Sequence, residues 1–249
     1  MDKIEDKLKW IGNRTDNYLK LLMNIIYTST KDDDKREKAE FLLKTALRVA
    51  FFLDFYSETL DKSFQKEGNK YKEILYKNVK EKDKEELEVI EKRIMNLFDY
   101  EKEIWKKVLD GLSISNKEIE QYWKMKSADS LFYGRITKIF TKDKDFIIPI
   151  YIYTRILDIV LDIKEYESDV KDKLPNILYM KLSQRIPIEK ILFNKKEAIK
   201  QAKKLKIDLE LKEIIYKMVE EVSSFDFNDY EFLIERIKQK SEEFNKEFI

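Results

Sequence analysis

Four carboxylates at helical spacing are the first candidates for chemistry. Asp158, Asp162, Glu165 and Asp169 fall at i, i+4, i+7 and i+11, which predicts that they share one face of a helix. The stretch Ile156 to Val160 leading into that face is almost wholly apolar, so the helix is expected to be buried. Carboxylates on a buried helix are costly unless something pairs with them. A divalent cation is the natural partner, and a metal-bound diphosphate is the expected ligand. A second acidic set, Asp54, Glu58 and Asp61, lies at i, i+4 and i+7 on the most apolar helix of the amino-terminal half. Two such helices facing each other would hold magnesium on their carboxylates, and the metals would bridge to diphosphate oxygens. The metals would then draw off negative charge as the C–O bond breaks, while an apolar shaft sheltered the carbocation from water. The competing reading is plain. In a chain that is 40% charged, acids three or four apart often share a helix face by chance, and most such stripes are solvated.

The elements that must position these residues are helices almost throughout. Only 4 glycines and 3 prolines occur in 249 residues, which argues for long helices and against a sheet with many tight turns. Helical periodicity covers residues 3–28, with Ile4, Leu8, Ile11, Leu19, Leu22 and Ile26 on the apolar face. Ser29 to Lys35 reads as a loop, with Asp33 or Asp34 capping the next helix. Residues 36–64 form a strongly apolar helix through Phe41, Leu42, Ala46, Val49, Phe52, Leu53, Tyr56 and Leu60, ended by a turn near Glu67-Gly68-Asn69. Charged helices come next at 70–80 and 83–110, with Gly111 as a stop. Ser115 or Asn116 caps a helix at 117–139. The acidic helix spans 147–170 with Pro149 in its first turn, and two further helices close the chain. With no linker and no repeat, one all-α domain over residues 1–249 is the economical reading.

Composition narrows the chemistry. The chain has no cysteine and no histidine, which excludes disulfides, Cys/His zinc sites and His-dependent triads. Any metal must be held by oxygen, favouring magnesium or calcium. The net charge is +1, with basic residues interleaved among acids, so no nucleic-acid partner is expected. The charged N-terminus lacks the apolar stretch of a signal peptide, and no apolar run is long enough to span a bilayer. A soluble cytoplasmic protein with no transmembrane segment is the expectation. Trp10, Trp105 and Trp123 do not cluster, and the aromatics read as core.

Three stretches, in order, resemble the trans-isoprenyl (polyprenyl) diphosphate synthases. Ser57-Glu58-Thr59-Leu60-Asp61 through Lys66-Glu67-Gly68 resembles the first aspartate-rich motif, DDxxD, followed by RRG. The segment from Ile114 to Phe132 resembles the one whose KT-small-x-L motif supplies a diphosphate-binding lysine, here Lys126. Arg155-Ile156-Leu157-Asp158-Ile159-Val160-Leu161-Asp162 resembles the Q-x-x-DDxxD of the second motif, and Lys173-Leu174-Pro175-Asn176 suits the lysine-containing loop after it. The resemblance extends over roughly residues 40–180. It implies the class I isoprenoid synthase fold, a single all-α bundle of about ten helices. It also implies Mg2+ as cofactor and an allylic isoprenoid diphosphate as ligand. Metal would be held by Asp158, Asp162, Asp61, Glu58 and Asp54, and diphosphate by Lys126, Arg155, Lys66 and Lys173. Phe52 and Leu53 would form the pocket floor that limits chain length, although both also suit a plain core position.

The departures fall unevenly. Ser57 and Glu58 replace two aspartates of the first motif, Glu67 reverses a phosphate-binding arginine, Ile159 replaces the middle acid of the second motif, and Arg155 stands for its glutamine. No GGKxxR is present; Lys20 lies near that lysine's place without the glycines or the arginine. The elements for isopentenyl diphosphate are the most damaged, and those for the allylic diphosphate the least. Three readings remain open. The first is a degenerate partner subunit of a prenyltransferase, in a homo- or hetero-oligomer with a prenyl synthase subunit. The second is a magnesium-dependent class I enzyme ionising one allylic diphosphate. The third is a helical interaction module with no ligand.

Overall fold

With so few helix breakers, the chain folds as twelve α-helices and one 3-10 turn among the described residues, with no strand. The structure is a computed structural model and describes residues 2–141, 146–224 and 230–248; the side chains of residues 2–7, Glu58, Thr59 and Lys124 lie outside what it describes. The helices are α1 (Asp2–Ser29), α2 (Asp33–Thr59), α3 (Lys62–Asn78), α4 (Glu81–Leu109), α5 (Asn116–Met125), α6 (Ser130–Phe140) and α7 (Ile147–Lys164). They continue with α8 (Tyr166–Asp172), α9 (Ile177–Ser183), a 3-10 turn (Ile188–Lys190), α10 (Lys195–Lys204), α11 (Ile207–Ser223) and α12 (Glu231–Glu247). The expected all-α class holds. The chain divides into two compact units, Met1–Asn96 with Ala128–Tyr151, and Leu97–Ser127 with Ile152–Ile249.

In the first unit α2 packs against α1, α3 and α6. Its aromatic core joins Trp10 edge-on to Phe51 and Phe55, and Tyr18 edge-on to Phe51 and Tyr133. Asp32, not Asp33 or Asp34, caps α2 by accepting the Lys35 N–H. The expected helix 36–64 is two helices. Leu60 takes a left-handed conformation (φ 57°) and Asp61 caps α3. No glycine or proline marks this break, so periodicity alone carried through it. Gly68, expected in a turn, lies buried inside α3, where a Cβ would stand 3.2 Å from Phe52 Cβ. Its missing side chain permits the close approach of α3 to α2. Three expected apolar-face positions, Leu8, Phe41 and Leu60, are exposed.

In the second unit the carboxyl end of α4 closes as a Schellman motif. Gly111 (φ 70°) donates to Val108 O and Leu112 to Lys107 O. Gly111 is thus the helix stop expected of it. Ser115 and Glu118 form a reciprocal capping box on α5. The expected helix 117–139 is broken after Met125, where Ser127 takes φ 71°. The expected acidic helix 147–170 is likewise two, α7 and α8, divided at Glu165. Pro149 does lie in the first turn of α7. Four α-helices, not two, follow Pro175.

Candidate functional site

The second unit gathers the polar groups that the acidic helix predicted. α7 buries Ile152, Ile156, Ile159, Val160 and Ile163, and carries Asp162 into the same environment at 5% exposure. The α5 break presents Lys126 to it: Nζ lies 2.7 Å from Asp162 Oδ1. The other oxygen of Asp162, Oδ2, accepts the Ile177 backbone N–H at 2.7 Å. One residue on, the Ser127 hydroxyl donates to Asp158 Oδ2. Lys126 also reaches the hydroxyl of buried Tyr122 at 3.3 Å.

Asn176 completes the cluster and is wholly buried. Its side-chain oxygen accepts the Leu178 and Tyr179 N–H groups, capping α9. Its Nδ2 donates to Asp162 O at 2.6 Å and to Asp169 Oδ2 at 2.8 Å. One amide therefore ties α7, α8 and α9 together. The helix break at Glu165 leaves Glu165 exposed, so the four acids do not form one helix face.

Burial works against charge at Lys126, Asp162 and Asp169. It opposes the ammonium of Lys126, but Asp162, Tyr122, Glu101 and Asp158 around it hold the lysine well above its ordinary range. Burial pushes the Asp162 carboxyl up, against the pull of Lys126 and the Ile177 N–H. The carboxyl of Asp169 is pushed up to about 7 by burial first and then by the charge of Asp162, with Asn176 and Lys126 acting the other way.

The remaining predicted residues divide between the units. Arg155 is half-buried on α7. Lys173 is exposed, with a left-handed backbone (φ 57°) that caps α8, and its carbonyl accepts the Trp105 indole N–H at 2.6 Å. In the first unit Asp54 is half-buried on α2, and Asp61 accepts the Ser63 N–H at 2.8 Å as the α3 cap. The Glu58 side chain lies outside the described residues. Lys66 is exposed on α3. Phe52 and Leu53 are buried; Phe52 stacks on Tyr71 with centroids 5.7 Å apart and also contacts Phe64, which is the packing of a core residue.

Among the described residues no group of three or more acidic side chains is arranged to hold a metal ion. A divalent ion at Asp162 would meet the Lys126 ammonium at Oδ1 or the Ile177 N–H at Oδ2, and would compete with whichever it met. Ser127 and Asn176 had no assigned role in the sequence. Asn176 was legible as a cap, since an Asn after Pro175 and before an apolar run is a helix-start signal. Ser127 carried no signal, because its part depends on a left-handed backbone that Ser rarely adopts. Comparison with family models, with curated proteins and with solved structures finds no match to this chain.

Proposed function

We propose that this chain is a non-catalytic helical protein of the polyprenyl diphosphate synthase type, acting as a degenerate partner subunit. One observation supports this above all. Both oxygens of Asp162, the last acid of the second motif-like stretch, are engaged internally by Lys126 and the Ile177 N–H. In the resemblance these two side chains would meet a ligand, one through metal and one through phosphate. Here each satisfies the other, and the pair joins the end of α5 to α7 and α9. The test is calorimetric titration of a non-hydrolysable allylic diphosphate into the purified protein, with and without magnesium. No binding at millimolar ligand is expected. Magnesium-dependent binding would overturn the reading.

A second reading, a magnesium-dependent enzyme ionising an allylic diphosphate, is favoured by the convergence of Lys126, Asp158 and Asp162 in one unit. Lys126 would exchange Asp162 for a diphosphate oxygen, leaving the carboxylate to a cation. On that reading Asp158→Ala would reduce turnover by orders of magnitude. If neither ligand binding nor association with a prenyl synthase subunit is found, the chain is a helical interaction module without a ligand.

A further inference from the structure

The segment from Glu189 to Lys206 holds seven lysines against two glutamates, a local excess of +5 in a chain whose net charge is +1. Most of it is α10. Ala198 and Ala202 are buried and fix the inward face of this helix. Lys196, Lys200, Lys203 and Lys204, at i, i+4, i+7 and i+8, are exposed on the opposite face. Some of the basic charge is answered internally: Lys195 pairs with Glu247 at 2.6 Å and Lys200 with Glu197 at 2.6 Å. Lys190, Lys196, Lys204 and Lys206 have no carboxylate within salt-bridge distance among the described residues.

Two adjacent apolar side chains stand beside this face in contact with water: Leu192 is 44% exposed and Phe193 66%. The Leu192 N–H donates to Gln201 Oε1 at 3.2 Å, and Gln201 Nε2 donates to Lys190 O at 2.8 Å. The Leu192 carbonyl accepts the Tyr166 hydroxyl at 2.9 Å. The two Gln201 bonds pin the loop along the flank of α10, and the Tyr166 bond ties it to α8. Three hydrogen bonds thus fix the backbone at Lys190 and Leu192, and Phe193 follows directly in the chain.

We propose that the Leu192–Phe193 tip and the lysine face of α10 form a peripheral docking surface for an anionic lipid bilayer. A bilayer interface answers both features together. Its headgroups carry the negative charge that the lysines complement, and its acyl boundary takes the two apolar side chains. A polyanion such as RNA answers the lysines but leaves Leu192 in water. No described helix is long and apolar enough to cross the membrane. The proposal stands whether or not the Lys126–Asp162 cluster takes a ligand.

The test is co-sedimentation of the full chain with vesicles of phosphatidylcholine alone, and of phosphatidylcholine with phosphatidylserine at two to one. Binding to the anionic vesicles only, weakened by added salt, is the expected result. Lys196→Gln with Lys204→Gln should weaken it about twenty-five-fold, at roughly five-fold per lysine. Leu192→Ser with Phe193→Ser should weaken it at least about ten-fold. Circular dichroism checks that each variant keeps its helices; if the double apolar variant does not, Phe193→Ser alone carries the test. Three results would overturn the proposal: no sedimentation with anionic vesicles, binding indifferent to the apolar substitutions, or tighter binding to an RNA fragment than to vesicles.

Discussion

Lys126 Nζ lies 2.7 Å from Asp162 Oδ1 across 36 residues of chain, with the carboxylate 5% exposed. A pair so placed is stable only while both members are present. Removing one leaves an uncompensated buried charge, whereas replacing both by apolar groups of similar volume is often neutral. Asp162→Ala and Lys126→Ala should each destabilise by roughly 3–5 kcal/mol. Lys126→Ala with Asp162→Ala should lose clearly less than the sum of the two, because neither charge is then left unpaired; the Ile177 N–H loses its acceptor equally in the Asp162 single and the double variant. A double-mutant cycle in urea checks this, and additive losses would show that the pair is not coupled.

Asp169 gives the second unit a pH dependence. Its folded pKa is raised to about 7 from 3.8, so its contribution to stability is full below about 4 and is lost as pH rises through 7. Asp169→Asn keeps an acceptor for Asn176 without the charge. It should leave stability unchanged at pH 4 and raise it at pH 8, on the order of 1–2 kcal/mol after solvent screening. Urea midpoints of both proteins across that range decide it; parallel profiles would place the titration elsewhere.

Glu118 acts in the opposite sense. Its carboxyl is lowered to about 2 by the Ser115 backbone N–H, the Ser115 hydroxyl and Lys107. A depressed carboxyl stabilises above its unfolded value of 4.5, and that stability is lost as pH falls toward 2. Ser115→Ala removes half of the capping box and should cost about 1 kcal/mol at neutral pH. It should also shrink the loss seen on acidification, as read by thermal melts at pH 3 and 7.

Leu60 sits in the left-handed region (φ 57°) and is 64% exposed. Glycine adopts that backbone without the steric cost a leucine carries, and little packing is lost. Leu60→Gly should therefore stabilise by up to about 1 kcal/mol. A lower melting temperature would mean that the side chain packs more than its exposure implies.

Gly68 faces a different constraint. A Cβ there meets Phe52 Cβ at 3.2 Å, tight enough to push α2 and α3 slightly apart. The helix propensity gained by Gly68→Ala, about 1 kcal/mol, roughly offsets this strain. Gly68→Leu has no such balance and should destabilise by about 1–3 kcal/mol. Denaturant midpoints of the two variants should differ clearly.

Much of this was written locally in the chain. The rarity of glycine and proline determined that it is helical, and the Ser115–Glu118 spacing and Gly111 marked two helix ends because caps are short-range chemistry. The acids at 158 and 162 were legible as a helix face leading out of an apolar run, since a 3.6-residue period needs no tertiary information. What the sequence did not carry was the breaks at Leu60, Ser127 and Glu165. Each occurs without glycine or proline, so local preference favoured continuing the helix and long-range packing overrode it. Those breaks decided the fate of the acids. The turn at Ser127 delivers Lys126 to Asp162, and the division at Glu165 lets Asn176 bridge Asp162 and Asp169. Whether a buried carboxylate meets a metal or a lysine depends on which distant side chain arrives beside it, and only the tertiary structure decides that.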